Sequence, residues 1–107
     1  MTGDSGKESV AIGDAATRPE RIRAALVVAL APTQLELIDE SHKHRGHAGA
    51  RDGRGHFALR IVSTAFTGKA AIARHRLVHA ALGTLMQSDI HALSIEALAP
   101  AEAEMTR

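Results

Sequence analysis

Seven histidines in a chain of 107 residues are the feature most able to do chemistry. His42, His44, His47 and His56 lie in or beside one stretch rich in Gly and Arg, His75 and His79 stand four apart, and His91 stands by itself. Neutral imidazole is a good ligand for borderline metals, and a loop can bring several together. The chain contains no cysteine, which removes disulfides, zinc–thiolate sites and thiol catalysis. The loop spacing fits no self-sufficient zinc pattern, because those need four fixed ligands or three plus water. On spacing alone the loop reads as solvated, and a metal role requires ligands from a partner.

Other constellations exclude more than they suggest. His75 and His79 share one face of a helix, as the pair in a zinc-protease helix does, but Arg76 stands where that motif needs a glutamate base. Ser63 and Ser94 fall on strands, and neither sits in a nucleophile elbow. Gly46, Gly49, Gly53 and Gly55 open no helix after a strand and match neither the dinucleotide nor the P-loop pattern. The residue types therefore point away from an enzyme. Phe57 and Phe66 are the only aromatic rings besides histidine, too few for a platform that stacks unpaired bases.

The net charge of +1 hides an asymmetry. Between His42 and Arg76 stand Lys43, Arg45, Arg51, Arg54, Arg60, Lys69, Arg74 and Arg76, opposed by Asp52 alone. A basic middle of this kind suits an acidic partner or a phosphate backbone. No apolar run approaches the roughly 18 residues of a membrane helix. The first residues lack an apolar core and carry Asp4, Glu8 and Asp14, unlike a targeting peptide. A cytoplasmic protein with no membrane contact is expected.

The elements that must position these residues are legible as patterns. Residues 1–16 read as a flexible tail, 17–99 as one domain and 100–107 as a C-terminal tail. Thr17-Arg18-Pro19-Glu20 has the form of a capping box with proline in the first turn. Ile22, Ala25, Leu26, Ala29 and Leu30 follow at helical spacing until Pro32. Leu35 and Leu37 alternate with polar neighbours in a strand over 34–41. The loop 42–55 leads to a strand over 56–63 with Phe57, Leu59 and Ile61 on one face. After a turn at Thr67-Gly68, a helix over 70–85 carries Val78, Ala81, Leu82 and Leu85 as its apolar stripe, with Arg74 on the same stripe and Arg76 nearly opposite. A strand over 90–97 places His91 with Leu93, Ile95 and Ala97 on the core side. The expected fold is an α/β chain in the order α-β-β-α-β, an α+β sandwich with helices on one face of a three-stranded sheet and the first two strands antiparallel. Leu26, Leu30, Phe57, Ile61, Val78, Leu82 and Ile95 form its expected core.

Four linked segments carry a resemblance. Leu35 to Ser41, Gly55-His56-Phe57 leading into Ile61 to Gly68, Arg74 to His79, and Ile90 to Ile95 resemble the BolA family in order and spacing, from about Arg18 to Ala101. The resemblance implies a fold like class II KH domains with a mixed sheet. It implies a monothiol glutaredoxin as heterodimer partner, sharing a [2Fe–2S] cluster whose sulfur ligands are the partner's cysteine and a glutathione thiolate. It further implies His91 as one ligand from this chain and His44 as the second, with His42 or His47 as alternatives in the same loop. Imidazole ligation raises a cluster's potential and, because histidine must be deprotonated to bind, makes it depend on pH. Cluster assembly, trafficking or iron regulation would follow.

A rival expectation is DNA binding by a transcriptional regulator through the basic segment 42–76, with Lys69, Arg74 and Arg76 near the turn before the second long helix. Nucleic-acid-binding KH domains clamp the backbone with a Gly-x-x-Gly loop. The turn here reads Thr67-Gly68-Lys69-Ala70, with one glycine. The open side of the sheet also offers a surface for a homodimer.

Overall fold

The computed structural model describes residues 16–41 and 54–105. Helix α1 (Arg18–Leu30) starts as its sequence requires: the Thr17 hydroxyl accepts from the Glu20 amide at 3.2 Å, and the Glu20 carboxylate accepts from the Thr17 amide at 2.9 Å. Its end is equally determined. Ala31 turns into the left-handed region (φ 44°), its amide closes on the Val27 carbonyl, and Pro32 cannot continue the helix. Ile22, Leu26 and Leu30 are its buried face.

Strand β1 (Gln34–Asp39) pairs antiparallel with β2 (Gly55–Val62), with Leu37 opposite Leu59 and Leu35 opposite Ile61. A 3-10 turn (Thr64–Phe66) follows, capped by Ser63, whose buried hydroxyl accepts from the Ala65 amide and donates to the Leu30 carbonyl at 2.6 Å. The turn drops Phe66 fully into the core. Helix α2 (Ala71–Leu82) stops at Gly83 (φ 55°), and a single turn, α3 (Leu85–Ser88), leads into β3 (Ile90–Leu98). The helix expected over 70–85 is thus two pieces, because Gly83 adopts a conformation open to glycine and hostile to side chains.

Strand β3 lies parallel to β2, so the sheet is mixed with the order β1-β2-β3. The expected α-β-β-α-β order and antiparallel first pair are present, with helices over one face. Ile22, Leu26, Leu30, Phe57, Leu59, Ile61, Phe66, Val78, Leu82 and Ile90 form the core, and Ile95 is half-buried against it. Each such side chain withdrawn from water contributes roughly 1.5–3 kcal/mol. The other face of the sheet is open. There Arg60 sits between Glu36 and Glu96 in register, and Ile38, Ala58 and Ser94 form the next row.

Within the segment read as a C-terminal tail, where a helical turn was possible, stands helix α4 (Pro100–Met105), with Ala103 buried. Arg74 pins it. Its guanidinium meets Glu102 at 2.6 and 3.0 Å and also donates to the carbonyls of Ala97 and Lys69. Glu102 in turn accepts from the Ala99 amide, half of a capping box. The hydrogen bond from Arg74 holds the Glu102 carboxyl down to about 2. The inward lean expected of Arg74 is therefore real, and its destination is a carboxylate.

Candidate functional site

The site forms where β2 and β3 begin. Their register slips by one residue there: Gly55 faces Ile90 and His56 faces Ala92, which leaves His91 as an extra residue in a bulge. Ile90 points into the core and Leu93 does so again, while His91 is exposed. This corrects the expected core-side placement of His91. Strict alternation from Leu93 back to His91 does not hold, because the bulge resets the parity between them.

Among the described residues, two side chains stand against the His91 imidazole. The His56 ring, on the open face of β2, lies with its centroid 5.0 Å away at an interplanar angle of 46°. On the other side Arg54 Nη2 stands 3.2 Å from His91 Nδ1, and Arg54 Nη1 reaches the Gln87 carbonyl at 3.5 Å. From sequence His56 counted only among the histidines beside the loop and Arg54 only within the basic segment; neither was assigned as a ligand. Their signal lay in the parity of β2, which puts His56 on the open face beside the start of β3.

The loop between β1 and β2 begins and ends at the same place. Ser41 Oγ accepts from the His56 amide at 3.0 Å, and the Glu40 amide bonds the His56 carbonyl at 2.8 Å. Gly55 is obligatory in this packing, since a Cβ there would come within 2.6 Å of the buried Phe57 ring and 2.9 Å of Ser41 Oγ. Its amide bonds the Asp89 carbonyl at 2.9 Å and so ties β2 to the first residues of β3. His44, His42 and His47 lie outside the described residues.

Asp89 anchors the base from the other side. Its side chain is buried and accepts from Arg18 Nε at 3.1 Å, from Arg21 and from the Ser88 hydroxyl. Burial raises the carboxyl's pKa, but the hydrogen bonds from Ser88, Arg21 and Arg18 outweigh it and bring it to about 2. The start of α1 and the start of β3 are thereby fastened together two residues before His91.

The remaining sequence candidates are elsewhere. His75 and His79 are exposed on α2, and among the described residues no three His, Asp or Glu side chains gather as a metal cage. Lys69 and Arg76 are exposed beyond the Thr67-Gly68 turn, whereas the Arg74 side chain is only 11% exposed and engaged with Glu102. Lys69, Arg74 and Arg76 therefore do not form one free basic patch. Chemically, the His91 site offers two neighbouring imidazoles and a guanidinium at an open edge. The imidazoles could supply nitrogen lone pairs to a metal, whereas the guanidinium, which only donates hydrogen bonds, could not.

A family model described as BolA-like protein matches residues 26–102. The chain belongs to the BolA family. Among BolA relatives, it is 47% identical over 104 residues to the SufE-like protein 1, chloroplastic/mitochondrial, of Arabidopsis thaliana, covering 92% of this chain but 27% of that one. It is 37% identical over 76 residues to the DNA-binding transcriptional regulator BolA of Escherichia coli, covering 71% and 70% of the two chains. The solved structure of the BolA domain of SufE1 from Arabidopsis thaliana superposes with a TM-score of 0.72 at 47% identity, covering 81% of this chain and 96% of that one. This chain therefore matches the BolA part of a longer relative, spanning about a quarter of its length. Among the described residues, no helix of this BolA chain is long and apolar enough to cross a membrane.

Proposed function

We propose that this BolA-family chain is a non-enzymatic, cytoplasmic partner of a monothiol glutaredoxin, and that the two share a [2Fe–2S] cluster as cargo for assembly, trafficking or iron regulation. The observation that carries the reading is the bulge that turns His91 outward at the point where the histidine-rich loop leaves and rejoins the sheet. His91 is the ligand from β3. His44 is the second, with His42 and His47 the alternatives in the same stretch of sequence. The cluster would supply iron coordination sites and an electron-accepting centre. The role of this chain is to present neutral imidazoles at a fixed edge and to leave thiolate ligands to the partner. Asp89, Gly55 and Ser41 hold that edge, and none of them needs to touch the metal.

The test is reconstitution with a monothiol glutaredoxin, glutathione, iron and sulfide, followed by visible circular dichroism. The mixed complex is expected to give a spectrum distinct from that of glutaredoxin alone, and His91→Ala to abolish it. His44→Ala is expected to weaken it strongly; if that variant behaves as wild type, the second ligand is another loop histidine. A wild-type chain that never alters the glutaredoxin spectrum would overturn the reading.

A second reading, DNA binding, is supported by the name of the Escherichia coli relative and by exposed Lys69 and Arg76. It requires an affinity for duplex DNA that falls steeply with salt and falls further in Lys69→Ala and Arg76→Ala. Arg74, engaged by Glu102, is not part of that surface.

A further inference from the structure

We propose that Arg54 is a latch on His91 that must open before the imidazole can take a metal. The proposal rests on His91 being a ligand, as argued above, and adds a control on when it becomes one. A guanidinium has five N–H donors and no acceptor. The 3.2 Å contact between Arg54 Nη2 and His91 Nδ1 is therefore a hydrogen bond in which Nδ1 supplies the lone pair. The neutral ring then carries its proton on Nε2. A metal also needs a lone pair, and Arg54 occupies the one this ring offers.

Two routes lead to a bound metal, and both break the same contact. Ligation through Nδ1 replaces the Arg54 hydrogen by the metal, and the Nε2 proton stays in place. Ligation through Nε2 first requires that proton to leave Nε2 while another binds Nδ1, which then points an N–H at the guanidinium. Arg54 must withdraw in either case. Arg54 stands immediately before Gly55, where β2 begins, and its Nη1 reaches the Gln87 carbonyl at 3.5 Å, the long end of hydrogen-bond range. Withdrawal of its side chain would uncover His91 at the edge of the sheet.

The experiment is a zinc titration of the full chain alone, followed by the ring nitrogen shifts of His91, in wild type, Arg54→Ala, His91→Ala and the double variant. Arg54→Ala is expected to bind zinc roughly three- to tenfold tighter, the size of one hydrogen bond released. The gain should vanish in the His91→Ala background. It should also survive at about 1 M salt, where charges more than about 3 Å apart are screened. Equal or weaker zinc binding by Arg54→Ala overturns the latch. So does a gain that disappears at high salt, which is simple charge repulsion. A mixed complex with glutaredoxin that fails to form in Arg54→Ala also overturns it and makes Arg54 a partner contact. These arms are separate from the shared-cluster reading: if wild type leaves the glutaredoxin spectrum unchanged, that reading fails while the zinc titration still decides the latch.

Discussion

Single atoms in this chain carry unequal weight, and Ser63 shows why. Its hydroxyl is wholly buried and serves two elements at once, donating to the last carbonyl of α1 and capping the turn that inserts Phe66. Replacing it with alanine strands a buried carbonyl and a half-buried amide, each costly to leave unpaired. Ser63→Ala is expected to lower stability by about 1–3 kcal/mol in urea denaturation with an unchanged dependence on denaturant. A loss under 0.5 kcal/mol would mean that water replaces the hydroxyl. From sequence Ser63 was visible only as a strand residue without catalytic company. Its structural duty depends on Leu30, 33 residues away, and leaves no local pattern.

At the scale of elements, much was legible because local chemistry and tertiary packing agree. The capping box at Thr17, the stop at Ala31-Pro32 and the alternation of Phe57, Leu59 and Ile61 each need only neighbouring residues, and each is realised. Three features were not legible in the same way. The bulge at His91 is a property of two paired strands, although buried Ile90 out of step with Leu93 was a trace of it. The break at Gly83 depends on a backbone conformation that a glycine permits without requiring. Helix α4 is too short to show a period, and its stability comes from Arg74 across the fold. The last point is testable. Glu102→Gln is expected to speed amide exchange of residues 101–105 roughly tenfold or more while leaving β2 unchanged, since α4 would open without the sheet. Equal protection in the variant would show that burial of Ala103 alone holds the helix.

The whole molecule should respond to acid through two carboxylates. Asp89 and Glu102 both sit at about 2 in the folded chain, below their ordinary values of 3.8 and 4.5. The unfolded chain therefore binds more protons between those limits. Their stabilisation is complete above about pH 5 and is lost as pH falls towards 2. Thermal melts across that window are expected to show a steep decline in wild type and a shallower one in Asp89→Asn, whose deficit is greatest at neutral pH. A slope unchanged in that variant would place the acid sensitivity elsewhere. Asp89→Asn also removes the clamp beside the bulge, so its His91 ring signals should shift even where the fold persists.

The parallel pairing of β2 with β3 has a consequence for how the molecule is made. Arg54 and His91 are 37 residues apart in the chain and meet only when the final strand docks beside the central one. Non-local pairing of this kind forms late, because a long closure must precede its reward. During synthesis, β1, the histidine-rich loop and β2 are all joined before Ile90. A nascent chain thus displays loop imidazoles with no His91 beside them and no closed edge to fix their positions. On the proposed function, the ligand pair would come into being only with the last strand, so the capacity to receive cargo would certify that translation has passed Leu98 and the sheet is complete.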